Sequence, residues 1–273
     1  MIKHKVIIFA LIILSFSSCI TTKTAIKDFN NAEYYDASIK FEKIIKDGDS
    51  ENSFLLAESL RKSNRLWQAE KYYKDAIKFG IRDEMAYYYL TLSLKGNSNY
   101  DAADSLISNY LSKGKDEAVI NLMRRESLHI KNLRLYPDTS YYKVKNLKAL
   151  NTSYAEYSPA FSNEKLYFVS NRQSEKIYSG TGTPFTDLYE IKSKGANVDI
   201  NSLKKLGENI NNEKVNEGSI TFSGDGMYMI FAKGNNGKSN GRNNVDLYYS
   251  RYRRSGWTNP RLLNVNTSRS WDS

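Results

Sequence analysis

The sequence predicts an α+β multidomain fold, with an N-terminal α-solenoid followed by all-β propeller blades that are incomplete. Three observations predict it: an apolar segment that ends at a lone cysteine, a helical pattern that recurs through the first half, and a strand pattern that recurs through the second half. The expected divisions are a signal peptide over 1–18, helical repeats with a capping helix over 19–135, a linker over 136–149, and β-repeats over 150–273.

The N-terminus has the pattern of an export signal. Lys3 and Lys5 precede the apolar run VIIFALIIL (6–14), and small serines follow it. The run is too short to span a bilayer. Residues 16–19, FSSC, resemble a bacterial lipobox, and the resemblance implies that Cys19 is lipidated and becomes the first mature residue. Several acyl chains would anchor the protein stably. The alternative is that Cys19, the only cysteine, is a free thiol.

The chain is basic. Its formal net charge is +10, and removal of Lys3 and Lys5 with the signal leaves 10 − 2 = +8. Such a balance favours association with anionic lipids or cell-wall polymers. No dense basic cluster is present, and the predicted export signal also argues against nucleic acid, so we expect no nucleic-acid partner.

Three windows in the first half share one helical pattern. They begin at Tyr34, Leu66 and Tyr100, 32 and 34 residues apart (66 − 34 and 100 − 66). Each has an alanine at the fourth position and a bulky residue at the eighth, which places both on one helical face. The alanines are Ala37, Ala69 and Ala103, and the bulky residues are Phe41, Tyr73 and Ile107. Helices are predicted between the windows, over 53–62 and 84–95, and a capping helix over 116–133.

Two helices in about 34 residues resemble the tetratricopeptide repeat. The resemblance covers 21–114 and is best in the middle repeat, whereas Thr91 and Tyr110 depart from the pattern in the third. Arrays of this family bind peptides on a concave face, so the resemblance implies a groove there. The groove positions by family register are Phe54, Glu58, Arg61, Tyr88, Leu92 and Lys95. The alternative is that the apolar members are ordinary packing and the charged members a solvated face.

The second half changes to short β-rich runs separated by turns. The predicted strands are LYFVS (166–170), DLYEI (187–191), MYMIFA (227–232) and DLYYS (246–250). The pattern repeats after about 60 residues: Tyr157 aligns with Gly218 and Asp187 with Asp246. A similar dipeptide accompanies each unit, at 150–151, 210–211 and 265–266. Four strands per unit at this period are typical of propeller blades.

These runs resemble the WD40-like, TolB-type β-propeller repeat over 150–273. Trp257-Thr258-Asn259-Pro260 completes the second unit, whereas the first unit lacks this tryptophan and has Asn163-Glu164 in place of Asp-Gly. Two long loops, 171–186 and 233–244, interrupt the units. The second is rich in Gly, Asn and Lys but lacks a phosphate-binding fingerprint, so we interpret it as a solvated connection.

The last residues predict that the chain is a piece of a longer protein. Trp271-Asp272-Ser273 stands where Glu156-Tyr157-Ser158 and Asn216-Glu217-Gly218 begin the earlier units. Propellers close with roughly four to eight blades, and two blades would leave open strand edges. We therefore expect a third blade to begin here.

The composition argues against an enzyme. The chain has two histidines, His4 in the signal and His129 in the capping helix. A histidine-based metal site or a catalytic triad therefore has almost no candidate residues. No spacing singles out a pair of carboxylates, and no cofactor fingerprint is present. We expect no catalytic, cofactor-binding or metal-binding residues.

In this order, the lipobox, the tetratricopeptide repeats and the WD40-like repeats resemble a family of Bacteroidetes outer-membrane lipoproteins. Members commonly continue into an OmpA-like peptidoglycan-binding domain, and some resemble the cell-wall-linked part of the type IX secretion and gliding apparatus. The resemblance implies a periplasm-facing scaffold, since ITTKT after Cys19 lacks the acidic run of surface-exported members. Its partners would be outer-membrane lipid through Cys19, proteins on the solenoid and propeller, and peptidoglycan through a domain that is not in this sequence.

Two other classes of protein stay open at this point. A SusD-like glycan-binding lipoprotein also combines a lipobox with tetratricopeptide helices, although it lacks the β-repeats. A serine peptidase can carry the same blades as a gate, and its catalytic domain would have to lie beyond Ser273.

Overall fold

The computed structural model describes residues 21–135, 146–148, 150–172, 174–234, 245–267 and 272. Within these residues seven α-helices are followed by antiparallel β-sheets, so the fold is α+β as predicted. Cys19 and most of the predicted linker lie outside the described residues.

The helices occupy the positions that the repeat pattern predicts. They are α1 (Thr22–Asn30), α2 (Tyr34–Ile44), α3 (Ser50–Lys62), α4 (Glu70–Lys78), α5 (Met85–Gly96), α6 (Tyr100–Lys113) and α7 (Glu117–Leu135). Local chemistry sets where several of them begin. Thr21 and Thr24 form a reciprocal capping box at α1. The Asp49 carboxylate accepts a hydrogen bond from the Asn52 amide at 3.0 Å and caps α3.

Each helix packs against the next one in the chain, and α5 also contacts α7. The alanines and bulky residues that the three windows share form the centre of this packing, and they are fully or almost fully buried. A small side chain at the fourth position lets the neighbouring helix approach, and the bulky side chain one turn later fills the space beside it. The predicted helical face is confirmed.

The first β unit spans seven strands. They are β1 (Glu156–Ser162), β2 (Lys165–Ser170), β3 (Ile177–Tyr178), β4 (Thr183–Pro184), β5 (Asp187–Lys194), β6 (Asn197–Val198) and β7 (Lys204–Lys205). β1, β2 and β5 lie side by side, and the short strands β6 and β7 share the position beyond β5. β3 and β4 form a separate hairpin within the predicted loop 171–186.

The second β unit repeats the arrangement of the long strands and of the two short strands beyond them, and residues 235–244, most of the predicted loop 233–244, lie outside the described residues. Its strands are β8 (Asn216–Phe222), β9 (Tyr228–Gly234), β10 (Asp246–Arg253), β11 (Gly256–Trp257) and β12 (Arg261–Leu262). β8, β9 and β10 lie side by side, with β11 and β12 sharing the fourth position. Leu262 pairs with Tyr248 as Lys205 pairs with Tyr189, so the two sheets have the same register.

The Asn of the repeated dipeptide closes each unit. Asn211 accepts a hydrogen bond from the Leu188 amide at 2.8 Å and donates to the Leu188 carbonyl at 3.0 Å. Asn266 makes the same pair of bonds with Leu247, at 2.8 and 2.9 Å. A side-chain amide can replace a strand in this way because it carries both a donor and an acceptor.

The two sheets pack face to face. Tyr167, Val169 and Leu188 of the first sheet meet Met229 and Phe231 of the second in one buried cluster. The outward face of the first sheet, which carries Phe168 and Tyr189, is covered by Leu147 and Leu150 among others. On the second sheet the outward face, with Tyr228, Ile230 and Tyr249, is partly exposed.

The hairpin β3–β4 joins the β units to the helices. The Tyr35 amide, at the start of α2, donates a hydrogen bond to the Ser179 carbonyl at 3.0 Å. Gly182 has a φ of +72° and lies against the Tyr35 ring, where a Cβ would sit 2.1 Å from a ring carbon. The Arg65 guanidinium lies 4.8 Å from the centre of the Tyr35 ring. We call these contacts the clasp, and they explain why this loop is long.

Candidate functional site

The six predicted groove residues lie on two helices that run through the middle of the helical part. Phe54, Glu58 and Arg61 are on α3, and Tyr88, Leu92 and Lys95 are on α5. Within each helix the spacings are four and three, so each set shares one face. Five of the six are half-buried, and Glu58 is buried, with 6 % of its surface exposed.

The charged residues of this face bind each other or their neighbours. Glu58 accepts hydrogen bonds from Arg61, at 2.9 and 2.6 Å, and from the Tyr73 hydroxyl at 2.5 Å. Burial, followed by the nearby Glu58 carboxylate, strongly raises the pKa of Tyr73, so the hydroxyl stays a donor. The Arg61 guanidinium also lies 3.9 Å from the centre of the Tyr89 ring. Glu58 therefore fixes Arg61 in place, and it is not a free recognition group.

The apolar members differ in how far the core holds them. The Phe54 ring meets the Tyr73 ring edge-on, with 6.2 Å between the ring centres, and the ring centres of Tyr88 and Tyr89 are 5.5 Å apart. Both also pack on the helical core cluster. Leu92 is half-buried, but among the described residues it does not pack on that cluster. Lys95 pairs with Glu126 of α7. Leu92 is thus the apolar side chain of this face with the least internal role.

A buried acid–base pair recurs in the β units. Glu156 pairs with Arg172 at 2.8 Å, and Glu217 pairs with Lys233 at 3.0 Å. In both units the base follows the acid by 16 positions (172 − 156 and 233 − 217). Each acid also accepts a backbone hydrogen bond, from Thr152 at 3.0 Å and from Asn212 at 3.1 Å.

The same arrangement begins a third time at Asp272. Its carboxylate accepts a hydrogen bond from the Thr267 amide at 2.7 Å, and its own amide donates to the Val245 carbonyl at 2.8 Å. Glu217 likewise donates its amide to Thr186, at 3.0 Å. Asp272 therefore corresponds to Glu217 and Glu156. The predicted alignment of Tyr157 with Gly218 agrees with this correspondence, whereas the alignment of the last residues, which placed Tyr157 opposite Glu217, is wrong by one residue in the first unit.

Glu217 is the most unusual of these acids. It has no exposed surface, and its Oε2 has no hydrogen-bond partner among the described residues. Burial raises the pKa of Glu217 to about 8, although Lys233 opposes this. Burial also raises the pKa of Asp187, which pairs with Lys205 at 2.7 Å and has one unpartnered oxygen of its own.

Glu217 lines a cavity of about 430 Å³ where the helices, the clasp hairpin and both sheets meet. Cavities of this size at the junction of structural units are common ligand sites. Asn64, in the turn after α3, contributes from the helical side. Beside the cavity the first strand of each sheet, β1 or β8, has a bulge. A serine in each bulge has a left-handed backbone conformation: Ser158 has a φ of +52° and Ser219 of +45°. Strained non-glycine residues and bulges cluster near functional sites.

Among the described residues no group of three His, Cys, Asp or Glu is placed to hold a metal ion. The same residues include no helix of the length and apolarity that a membrane crossing requires. No protein-family model matches the chain, and the comparison with curated proteins finds no match either.

Sequence reasoning missed the buried pairs and the cavity. A charged residue in a β-rich run is normally interpreted as facing solvent, so the sequence did not indicate that Glu217 and Lys233 are buried. The equal spacing of 16 between acid and base in the two units was the signal that could have revealed them.

Proposed function

We propose that this protein is a lipid-anchored, periplasm-facing scaffold of the outer membrane that binds other proteins through its repeats. Cys19 is the lipid attachment site, and peptidoglycan is reached through an OmpA-like domain that is not in this sequence. The resemblance to type IX secretion-associated lipoproteins supports the proposal, and so does the pairing of two repeat modules by the clasp. The proposal includes no reaction, cofactor or metal.

The observation that carries the proposal is the composition of two helical faces, one on α3 and one on α5, which we together call the face of α3 and α5. Phe54 lies on the same face of α3 as Arg61, Tyr88 and Leu92 lie on the same face of α5 as Lys95, and both charges are held by carboxylates. Apolar anchors surrounded by oriented polar groups are the usual composition of a protein-binding surface. Leu92 in particular has surface left for a partner.

We further propose that the helices form a tetratricopeptide-type solenoid and that the two sheets are adjacent propeller blades. On the second sheet Ile230 and Ala232 occupy the positions that Tyr167 and Val169 occupy on the first, where they are buried between the sheets. The outward face of the second sheet therefore suits another sheet of the same kind. In a structure of the native protein from membranes this face should be covered by a four-stranded sheet, and a solvent-facing surface there would refute the propeller.

The lipid anchor is tested by Cys19→Ser, which removes the only thiol of the chain. The wild-type protein should fractionate with outer membranes and enter the detergent phase, because several acyl chains anchor a protein stably. The variant should be recovered in the periplasmic fraction or retain its signal. Ser18→Ala, which keeps the cysteine, is the matched control. An anchored Cys19→Ser variant with a cleaved signal would refute lipidation as the tether.

A further inference from the structure

The cavity at the junction of helices, clasp hairpin and sheets is not used by the proposed scaffold role. Several independent features meet there. Glu217 is buried and its Oε2 has no partner among the described residues, and Ser158 and Ser219 have strained backbones in the bulges of β1 and β8. The wall residues come from the helical part, the clasp hairpin and both sheets. We propose that this cavity binds an uncharged saccharide.

The chemistry of the walls selects the class of ligand. They carry hydroxyls and side-chain amides, which both donate and accept hydrogen bonds as sugar hydroxyls do. The residues that supply them include Asn171, Thr181, Thr183, Thr186 and Ser219. Among the described residues the walls include no lysine or arginine, so these residues offer a phosphate or sulfate no cationic partner.

Two further features favour a sugar over a peptide. Tyr157 lines the cavity with 44 % of its surface exposed, which leaves an aromatic ring for a sugar face. The described part of the walls contains no Leu, Ile, Phe, Met or Trp, and such apolar anchors dominate the binding energy of peptides.

Glu217 is the wall residue that we expect a sugar hydroxyl to satisfy. It lies at the base of the β8 bulge next to Gly218, and its Oε1 is already used by Lys233 and the Asn212 amide. Its Oε2 needs a partner, because an unsatisfied buried polar atom is costly. Burial raises the pKa of this group, so the wall around it disfavours additional negative charge and favours a neutral ligand over an anion.

Gly218 gives a test that leaves the fold intact. A Cβ at this position would meet only the Tyr157 hydroxyl, at 3.6 Å, which is an ordinary contact. The methyl group of Gly218→Ala would therefore occupy cavity space without displacing the backbone. Glu217→Gln keeps the size of the side chain and changes its hydrogen-bonding group. Tyr154→Phe is the control, since Tyr154 is exposed and does not line the cavity.

The experiment is calorimetric titration of the full chain, in a detergent without a sugar headgroup, with the β-1,4-linked trimer of N-acetylglucosamine, maltotriose and cellotriose. Glycerol 3-phosphate is the anionic probe. At least one saccharide should bind with a Kd below about 1 mM. Glu217→Gln should weaken that binding about fivefold or more, the effect of one hydrogen bond. Gly218→Ala should weaken it at least as much because its methyl group occupies space the ligand needs, and Tyr154→Phe should not change it.

Three results would overturn the proposal: no saccharide binds, both cavity variants bind as the wild type does, or the anionic probe binds more tightly than the sugars. Circular dichroism and thermal unfolding of each variant show whether it is folded. If Glu217→Gln does not fold, the saccharide affinity of Gly218→Ala alone tests the proposal. The outcome is independent of the scaffold role, which concerns Cys19 and the face of α3 and α5.

Discussion

At the scale of single residues, the buried acid–base pairs account for how the β units are locked. Arg172 donates to Glu156, to the Leu150 carbonyl at 2.5 Å and to Ser170 at 3.0 Å, and its guanidinium lies 5.1 Å from the centre of the Phe168 ring. One side chain thus ties the start of the unit to its second strand. A buried pair is costly to break because the remaining charge has no partner.

Arg172→Met should lower the free energy of unfolding by about 3–5 kcal/mol, the range for a buried ion pair that loses one member. The double variant with Glu156→Gln should lose less, because the uncompensated carboxylate is then absent. Urea unfolding measures both. A double variant less stable than Arg172→Met would contradict the role of the pair.

The raised pKa of Glu217 predicts how stability depends on pH. The folded state holds this proton up to about pH 8, whereas the ordinary value is 4.5. Between these values the folded protein binds more protons than the unfolded chain, so the contribution of Glu217 to stability falls as pH rises. It is fully present below about pH 4.5 and lost above about pH 8.

Glu217→Gln should therefore flatten the fall in unfolding free energy between pH 5 and pH 8, because the amide does not titrate. Urea unfolding at several pH values across this window gives the slope for each protein. Glu156→Gln is the matched control, since the pKa of Glu156 is lowered rather than raised. Parallel slopes for wild type and Glu217→Gln would show that another group carries the dependence.

At the scale of elements, periodicity predicted the helices and the long strands well. The predicted helix over 53–62 is part of Ser50–Lys62, and the strand over 187–191 is part of Asp187–Lys194. The repeats made these predictions firmer because the same pattern occurs two or three times in the sequence. The two-residue strands were not predicted, since two residues show no period. The groove face followed from helical spacing, but the engagement of Glu58 by Tyr73 is a tertiary contact that spacing does not reveal.

The clasp also belongs to this scale, and Gly182 is its most sensitive residue. Gly182→Ala should move the hairpin away from α2, because the new Cβ would collide with the Tyr35 ring. Hydrogen exchange should then accelerate at the Tyr35 amide, which loses the Ser179 carbonyl.

Gly195→Ala is the control for backbone strain. Its φ of +59° is also left-handed, but a Cβ there would meet nothing within 4 Å. It should lose about 1 kcal/mol or more of stability through strain alone, with exchange at Tyr35 unchanged. Equal acceleration in both variants would show that the clasp is not what protects this amide.

At the scale of the whole molecule, the proposed scaffold role gives the helical part and the β part different tasks. The helical part presents a face with apolar anchors, and the β part is locked to it by the clasp, so a partner bound to one module is held in a fixed relation to the other. The formal charge of +8 after removal of the signal would favour an anionic envelope surface. The prediction of a lipid anchor depends on sequence resemblance alone, because Cys19 lies outside the described residues.

The central claim is that the face of α3 and α5 binds a protein partner, and site-specific photo-crosslinking in cells tests it most directly. A photoreactive phenylalanine analogue at Leu92 should give a discrete adduct of higher mass. The same group at Trp67, which is 55 % exposed and outside the face, should not. Random collision would favour the more exposed Trp67. No adduct from Leu92, or equal adducts from both positions, would contradict the account.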